Sequence, residues 1–197
     1  MLIVQSANSI SRVCLFSIVW LPVLLFSQSD KPIHLPYTIE PADSMCYIGK
    51  ARVHKQCCEV VKKMIEDAKK ENVYIGIRSA YRDSAEQAYQ FYYLGDLYKQ
   101  TMEQRQKHTA PPKFSEHHTG FAIDFMDLQH TSVTYNIAFE NTAVFKWLQK
   151  NACKYGFVMS FPKNNKQNLQ YEPWHWRYEG NEYARSKFEQ SYPYRYE

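Results

Sequence analysis

The chain has 197 residues, of which 45% are hydrophobic and 22% charged, as expected of one globular domain with its own core. The net charge is only +4, and the basic residues are scattered along the chain. Proteins that bind nucleic acid electrostatically gather Lys and Arg on one face, so we predict no nucleic-acid partner. We expect a monomer, although the sequence carries no direct signal for the oligomeric state.

The first 29 residues have the pattern of a secretory signal peptide. Residues 13–26 are almost wholly apolar, and the small residues Ser27 and Ser29 fit the positions that a signal peptidase reads. A mostly apolar stretch of fourteen residues that contains Pro22 is short for a bilayer span, which disfavours the alternative of a retained anchor. We therefore predict export to the periplasm or cell envelope, with no stable membrane span after cleavage.

Residues 30–49 are rich in proline and are predicted to form an irregular lead-in to one folded domain over residues 50–197. Removal of the signal leaves four cysteines, which are Cys46, Cys57, Cys58 and Cys153. An even count in an exported protein permits disulfides, and three complete pairings are possible. The adjacent pair is not expected to bridge, because that ring is strained. Four buried free thiols are the alternative.

Helices and strands are mixed without regular alternation along the domain. Apolar residues at helical spacing predict an amphipathic helix over 50–71, and a β-branched run predicts a buried strand over 73–77. Asp83 or Ser84 is expected to cap a helix that runs to about Gln104. The later elements are a loop over 105–116, a strand over 121–125, a helix over 141–155, a strand over 157–161, a loop over 162–170 and a strand over 174–178. This mixture indicates the α+β class.

Two separated runs each supply a histidine and a carboxylate. His117 and Asp124 lie in S-E-H-H-T-G-F-A-I-D, and Glu172 and His175 lie in E-P-W-H-W-R-Y. Two imidazoles and one carboxylate make three protein ligands for a divalent ion and leave a fourth position for water. Glu172 could then take a proton from that water. The pattern predicts a metal-dependent hydrolase, although these ligand types also suit iron or manganese.

Each run also has an ordinary structural explanation, because aromatic strands and isolated histidines are common in protein cores. Strand alternation puts Asp124 on the same face as Ala122, whose small side chain leaves space beside an ion. Glu172 lies three residues before His175, so strict alternation cannot place both side chains together. A bend at Pro173 has to bring Glu172 to the ligand face.

Three blocks of the sequence resemble the D-alanyl-D-alanine carboxypeptidases of the VanY type, zinc metallopeptidases that share a core with the hedgehog signalling domain. The blocks are R-S-A-Y-R, P-P-K-F-S-E-H-H-T-G-F-A-I-D-F and Y-E-P-W-H-W-R-Y, and the resemblance covers about residues 73–180. It implies a single α+β domain with a small antiparallel sheet and flanking helices. It also implies one Zn²⁺ ion and a peptidoglycan stem peptide as substrate.

The resemblance assigns a role to each matched position. The zinc ligands are matched by His117, Asp124 and His175. Glu172 matches the catalytic base, and Arg82 matches the arginine that polarises the scissile carbonyl, with Arg78 as the alternative. Ser115 matches a residue that helps to hold the substrate near its free carboxylate. Lys113 departs from the family, which often has a glycine there.

Four further side chains are expected along the substrate cleft, namely Gln87, Tyr89, His118 and Trp174. His118 is predicted to lie beside the cleft rather than to bind the metal. Gln87 and Tyr89 could equally lie on a plain helix surface.

The sequence as a whole predicts an exported zinc-dependent carboxypeptidase that removes the terminal D-alanine from stem peptides. An L,D-carboxypeptidase or a stem-peptide endopeptidase would use the same site and is the first alternative. A non-catalytic zinc-containing module that binds peptidoglycan is the second. The presence of Glu172 and Arg82 disfavours the second alternative, because a pure binding module needs no base beside its ion.

Overall fold

The computed structural model describes residues 32–194, and the predicted signal peptide over residues 1–29 lies outside that part. The helices are α1 (Lys55–Lys70), α2 (Ser84–Ala88), α3 (Leu94–Leu97), α4 (Met102–His108), α5 (Ala143–Asn151) and α6 (Glu182–Ser186). The strands are β1 (Met45–Ile48), β2 (Ala51–His54), β3 (Ile75–Ser79), β4 (Ala122–Asp127), β5 (Phe157–Met159) and β6 (His175–Tyr178). This mixture of helices and small antiparallel sheets confirms the predicted α+β class.

The larger of two antiparallel sheets brings the two histidine runs together. β1 and β2 form a separate hairpin, whereas the larger sheet has the strand order β3-β4-β6-β5. Within it β4 pairs with β6 so that Asp124 is directly opposite His175, and Ala122 is opposite Arg177. Residues directly opposite each other point to the same face of a sheet, so this register makes neighbours of residues that are far apart in sequence.

The other face of β4 belongs to the hydrophobic core. Phe121, Ile123 and Phe125 are completely buried, as the strand alternation predicts. The apolar side of α1, which includes Met64, belongs to the same core cluster. Burial of these side chains holds β4 in one orientation, and Asp124 therefore has to point to the opposite face.

The segment before α1 is more regular than the sequence predicts. Residues 30–49 are predicted to be irregular, yet part of this segment forms β1. Residues 51–54, which the periodicity assigns to a helix, form β2, and Gly49 turns the chain between the two strands at a φ of +59°. The imidazole of His54 then caps α1. The helix prediction was wrong here because side-chain periodicity does not reveal a strand partner.

A disulfide between Cys46 and Cys58 joins β1 to α1. Cys57 is a buried free thiol, and Cys153 is an exposed one. The adjacent cysteines do not bridge each other, as predicted, and the alternative of four buried free thiols is wrong. A cross-link over a separation of 12 residues restricts the unfolded chain and stabilises a fold by about 3 kcal/mol in the chain-entropy description.

The helix predicted from the start of α2 to about Gln104 is interrupted. A π-helical turn over Tyr89–Tyr93 joins α2 to α3, and Lys99 then takes a left-handed φ of +53° that ends the helix. Thr101 and Gln104 form a capping box that starts α4. As a result, α4 occupies the first part of segment 105–116, which the sequence predicts to be a loop.

The C-terminal half follows the sequence more closely. α5, β5 and β6 lie within the segments predicted for them, and a polar loop over 162–170 separates β5 from β6. After β6, Asn181 caps α6 by accepting a hydrogen bond from the Ala184 N–H, and Phe188 reaches the core. None of the helices within residues 32–194 has the length and apolar character that a membrane crossing requires.

Candidate metal centre and its cavity

Three buried side chains converge between β4, β6 and the 3₁₀ turn that precedes β4. They are His117 from the turn, Asp124 from β4 and His175 from β6, and one donor atom of each lies within 4.8 Å of the others. His117 Nε2 is 3.3 Å from Asp124 Oδ2, and His175 Nδ1 is 3.0 Å from Asp124 Oδ1. The structure thus brings together the three residues that the sequence predicts to bind a metal.

The turn before β4 sets the position of His117. Ser115 Oγ accepts a hydrogen bond from the His117 N–H at 3.3 Å and so caps the start of the turn. Gly120 ends the turn at a φ of +69°, and a Cβ there would come within 2.6 Å of the Met45 Sδ. Both the backbone conformation and the lack of space require glycine. The chain therefore folds His117 back towards Asp124, as predicted.

Hydrogen bonds on the far side of each imidazole orient the nitrogen that faces the centre. His117 Nδ1 lies 2.6 Å from the carbonyl oxygen of Ala80, so this nitrogen donates and Nε2 faces Asp124. His175 Nε2 lies 3.0 Å from Glu116 Oε2, which leaves Nδ1 facing Asp124. Metal-binding histidines usually have such an outer partner. The donor set of two oriented imidazoles and one carboxylate fits a four-coordinate Zn²⁺.

The two imidazoles have opposite protonation tendencies. Burial lowers the pKa of His117 to about 4, and the positive charge of Arg82 acts in the same direction. Burial would also lower the pKa of His175, but hydrogen bonds to Asp124 and Glu116 outweigh it and raise that pKa to about 10. Burial opposes ionisation of Asp124, yet the histidines hold its pKa well below the usual range. A metal that binds here therefore replaces the proton on His175 Nδ1, the nitrogen that faces Asp124.

Glu172 reaches the centre through a tight turn. The His175 N–H donates to the Glu172 carbonyl oxygen at 3.0 Å, which closes a turn around Pro173. Glu172 Oε2 then lies 3.7 Å from His175 Nδ1, so the predicted bend is confirmed. Burial raises the pKa of Glu172 to about 8, and the nearby carboxylates of Asp124 and Glu116 add to this effect. A carboxylate in this setting suits proton transfer near neutral pH.

Arg82 and Arg78 occupy different surroundings. The Arg82 N–H donates to the His117 carbonyl oxygen at 3.2 Å, which ties its backbone to the metal-binding turn. Its side-chain Nε is buried without a hydrogen-bond partner within residues 32–194. Arg78 is exposed, and its guanidinium lies 5.8 Å from the ring centre of Tyr135. Both arginines line the cavity beside the ligands, and Arg82 is the one with a buried donor atom that has no partner in this part of the chain.

A cavity of about 750 Å³ opens beside the three ligands and Glu172. Three of the predicted substrate-binding residues line it, namely Ser115, Gln87 and Trp174. Gln87 is completely buried, and its Nε2 donates to the Ala110 carbonyl oxygen at 2.6 Å. Its Oε1 has no hydrogen-bond partner within the described residues. Gln87 and Arg82, which both line the cavity, therefore each have one buried polar atom without a hydrogen-bond partner among the described residues.

Two of the predicted substrate-binding residues lie elsewhere. Tyr89 is 52% exposed, stacks on Tyr93 and borders a separate, smaller pocket. His118 is completely buried, and its Nδ1 lies 2.7 Å from the Arg82 carbonyl oxygen while its Nε2 accepts from the Lys113 N–H at 3.0 Å. Neither residue lines the larger cavity, because the π-helical turn faces Tyr89 outwards and the 3₁₀ turn directs His118 into the protein.

Sequence reasoning missed two residues that contact the centre. The Tyr135 hydroxyl donates to Asp124 Oδ2 at 3.3 Å, and its ring packs edge-on against Trp174. Glu116 lies buried behind His175. Tyr135 follows β4 in an irregular segment with no motif around it. Glu116 stands directly before His117, and this adjacency was the only signal that could have pointed to it.

Lys113, at a position where the family that the sequence resembles often has a glycine, has a left-handed backbone conformation. Lys113 takes a φ of +72°, which favours glycine, and both its N–H and its carbonyl oxygen are held by hydrogen bonds to His118 and Tyr37. We expect Lys113→Gly to raise the free energy of unfolding by about 1 kcal/mol in urea titrations, since the Cβ strain disappears. Lys113→Ala keeps the Cβ and should give no such gain. Equal stability of the two variants would contradict this explanation.

Comparison of the sequence with known proteins gives one consistent family. The family model described as VanY, D-alanyl-D-alanine carboxypeptidase, matches residues 50–181. YodJ of Bacillus subtilis, provisionally named a carboxypeptidase, is 31% identical over 192 residues, which are 92% of this chain and 69% of that protein. A D-alanyl-D-alanine carboxypeptidase of Enterococcus faecium is 33% identical over 141 residues, 70% of this chain but only 39% of that longer protein.

Solved structures agree with this result. The LdcB LD-carboxypeptidase is 31% identical with a TM-score of 0.60, and the match covers 85% of this chain and 76% of that one. The fold is also shared by a VanY D,D-pentapeptidase from a VanB-type vancomycin resistance cassette, which was solved in complex with Zn(II). That protein is 23% identical with a TM-score of 0.57, and the match covers 81% of this chain and 89% of that one. Because the family model covers more than half of the chain, this protein belongs to the VanY family of D-alanyl-D-alanine carboxypeptidases.

Proposed function

We propose that this protein hydrolyses the terminal D-alanine from peptidoglycan stem peptides at a zinc centre formed by His117, Asp124 and His175. One observation carries the proposal, namely the convergence of three metal-donor atoms within 4.8 Å at the wall of a cavity that Glu172 also lines. The membership in the VanY family and the Zn(II) complex of the related D,D-pentapeptidase support zinc as the ion.

Two further polar groups of the cavity have distinct roles in this reaction. A Zn²⁺ ion held by the three ligands would act as a Lewis acid and lower the pKa of water towards neutrality. Glu172 accepts the proton of the attacking water as the new C–O bond forms. It then returns this proton to the amine nitrogen of D-alanine, which leaves when the peptide C–N bond breaks. Arg82 donates from its free guanidinium to the oxygen on which negative charge develops.

Three side chains would hold the substrate in the cavity. Ser115 Oγ already accepts from the His117 N–H, so its hydroxyl hydrogen is available to donate to the free carboxylate of a peptide. Gln87 offers a buried acceptor, and Trp174 offers an apolar wall.

Export of the protein is part of the proposal. Residues 1–29 would act as a cleaved signal peptide, residues 30–49 as a lead-in, and residues 50–197 as a monomeric metallopeptidase domain at the periplasm or cell envelope. The disulfide between Cys46 and Cys58 supports this, because disulfides persist mainly in oxidising compartments. Peptidoglycan, which carries the proposed stem-peptide substrate, lies in the same compartment.

A digestion of synthetic stem peptides tests the reaction. We expect mass spectrometry to show release of one D-alanine from a pentapeptide that ends in D-Ala-D-Ala, and loss of this activity when a chelator removes the metal. The similarity to LdcB makes an L,D-carboxypeptidase the second candidate. Cleavage of a tetrapeptide but not the pentapeptide would favour it. Absence of cleavage in any stem peptide by the zinc-loaded protein would contradict both.

A further inference from the structure

We propose that Glu116, held by Arg177, is the positioning residue that orients His175 so that its Nδ1 faces the metal. The inference rests on the proposed function, since it takes His175 to be a ligand. It goes further by assigning a role to a buried ion pair that takes no part in the chemistry itself.

The carboxylate of Glu116 has partners on both of its oxygens. Oε2 lies 3.0 Å from His175 Nε2 and accepts from the Ser160 hydroxyl at 2.5 Å. Oε1 accepts from Arg177 Nη1 and from the Tyr37 hydroxyl. A carboxylate has about four lone-pair positions, so these four contacts use its whole capacity. Glu116 is therefore suited to orient a ligand and not to act as a fourth ligand itself.

The contact at Nε2 determines which nitrogen of His175 is free to bind a metal. Glu116 Oε2 only accepts hydrogen bonds, so Nε2 must carry a hydrogen to satisfy it. A neutral imidazole then has its lone pair on Nδ1, the nitrogen that lies 3.0 Å from Asp124 Oδ1. His175 is almost fully buried, so bulk solvent does not reach this contact. Loss of the acceptor would leave the ring without its outer restraint.

Arg177 holds the carboxylate in place from the same strand as His175. It lies two residues later on β6, so both side chains point to one face of the sheet. The register places it opposite Ala122, whose small side chain leaves room for a guanidinium. Arg177 Nε also donates to Glu179 Oε1 at 2.7 Å, so two buried carboxylates share one buried arginine. Glu116 contacts the metal ligand His175, whereas within residues 32–194 the Glu179 carboxylate is described in contact with Arg177.

This sharing provides a matched pair of variants. Glu116→Gln and Glu179→Gln each remove one charge from a partner of Arg177, and each leaves Arg177 with one carboxylate. Both should therefore fold. If Glu116 serves only to compensate the arginine, the two substitutions should have similar effects on zinc affinity. If Glu116 positions His175, only Glu116→Gln should weaken zinc binding. The amide has a single acceptor oxygen, and when this oxygen stays on the charged Arg177, the NH2 group, which cannot accept, faces His175 Nε2.

Zinc affinity measured by competition with a chromophoric chelator decides between these cases. We expect Glu116→Gln to lower the zinc affinity about 10- to 100-fold, which is the usual effect of removing an outer partner of a metal-binding histidine. The zinc affinity of Glu179→Gln should stay close to that of the wild type. Equal affinities of the two variants would overturn the inference while leaving the proposed function intact. Failure of the wild-type protein to bind zinc would overturn the proposed function and, with it, the inference.

A second variant covers the case in which Glu116→Gln does not fold. Ser160→Ala removes one hydrogen bond to the oxygen that contacts His175 and changes no charge. We expect a smaller loss of zinc affinity, about 2- to 10-fold, because the carboxylate is then less firmly held. Zinc affinity identical to wild type in Ser160→Ala would, in that case, overturn the positioning role.

Discussion

Replacement of Glu172 with glutamine is expected to lower kcat for stem-peptide hydrolysis about 10²- to 10⁴-fold, the range for loss of a general base. Zinc should remain bound, because the three donor atoms that converge belong to other residues. The amide has nearly the shape of the carboxylate but cannot accept the proton of the attacking water. Steady-state kinetics together with the metal content of the purified variant would measure both properties.

Glu59→Gln is the control for this substitution. Glu59 lies on α1 with its side chain 82% exposed, so the same chemical change occurs far from the cavity. We expect the wild-type rate in this variant. A Glu172→Gln enzyme that kept both its zinc and full activity would show that another group moves the proton, and the assignment of the base would have to be abandoned.

Replacement of Asp124 with asparagine is expected to abolish the stabilisation that zinc gives to the folded protein. A ligand that binds only the native state at 1,000 times its Kd stabilises it by about 4 kcal/mol, and a stoichiometric zinc site should show a gain of this order. Asp124 lies between both histidines, so its charge holds the ion and both imidazoles together. Urea unfolding of each protein with zinc and with a chelator would measure the difference.

Asp127→Asn is a matched control on the same strand. Asp127 is also a buried aspartate of β4, but its carboxylate accepts from the Gln129 N–H and lies beside His130 rather than at the metal centre. We expect the zinc-dependent gain in stability to persist in this variant. If Asp124→Asn kept the same gain as Asp127→Asn, the ion would have to bind elsewhere in the protein.

Features that depend on short stretches of chain could be predicted from the order of the amino acids. Alternation along β4 separated the core residues Phe121, Ile123 and Phe125 from Asp124, because side chains in a strand point to opposite faces in turn. The need for a bend at Pro173 followed from the three-residue spacing of Glu172 and His175. The family could be named because the ligands and the base lie inside contiguous blocks that keep their spacing.

Contacts between distant segments depend on how the elements pack in three dimensions, and they could not be predicted from the sequence. The pairing of β4 with β6 set Asp124 opposite His175, and the same packing brought Glu116 behind His175. It also turned Tyr89 and His118 away from the cavity. The β1–β2 hairpin formed partly where an irregular lead-in was predicted and partly where helical periodicity predicted a helix. Periodicity reports which face of a segment is apolar, but it does not report what packs against that face. Strand register, buried ion pairs and cavity walls depend on that partner.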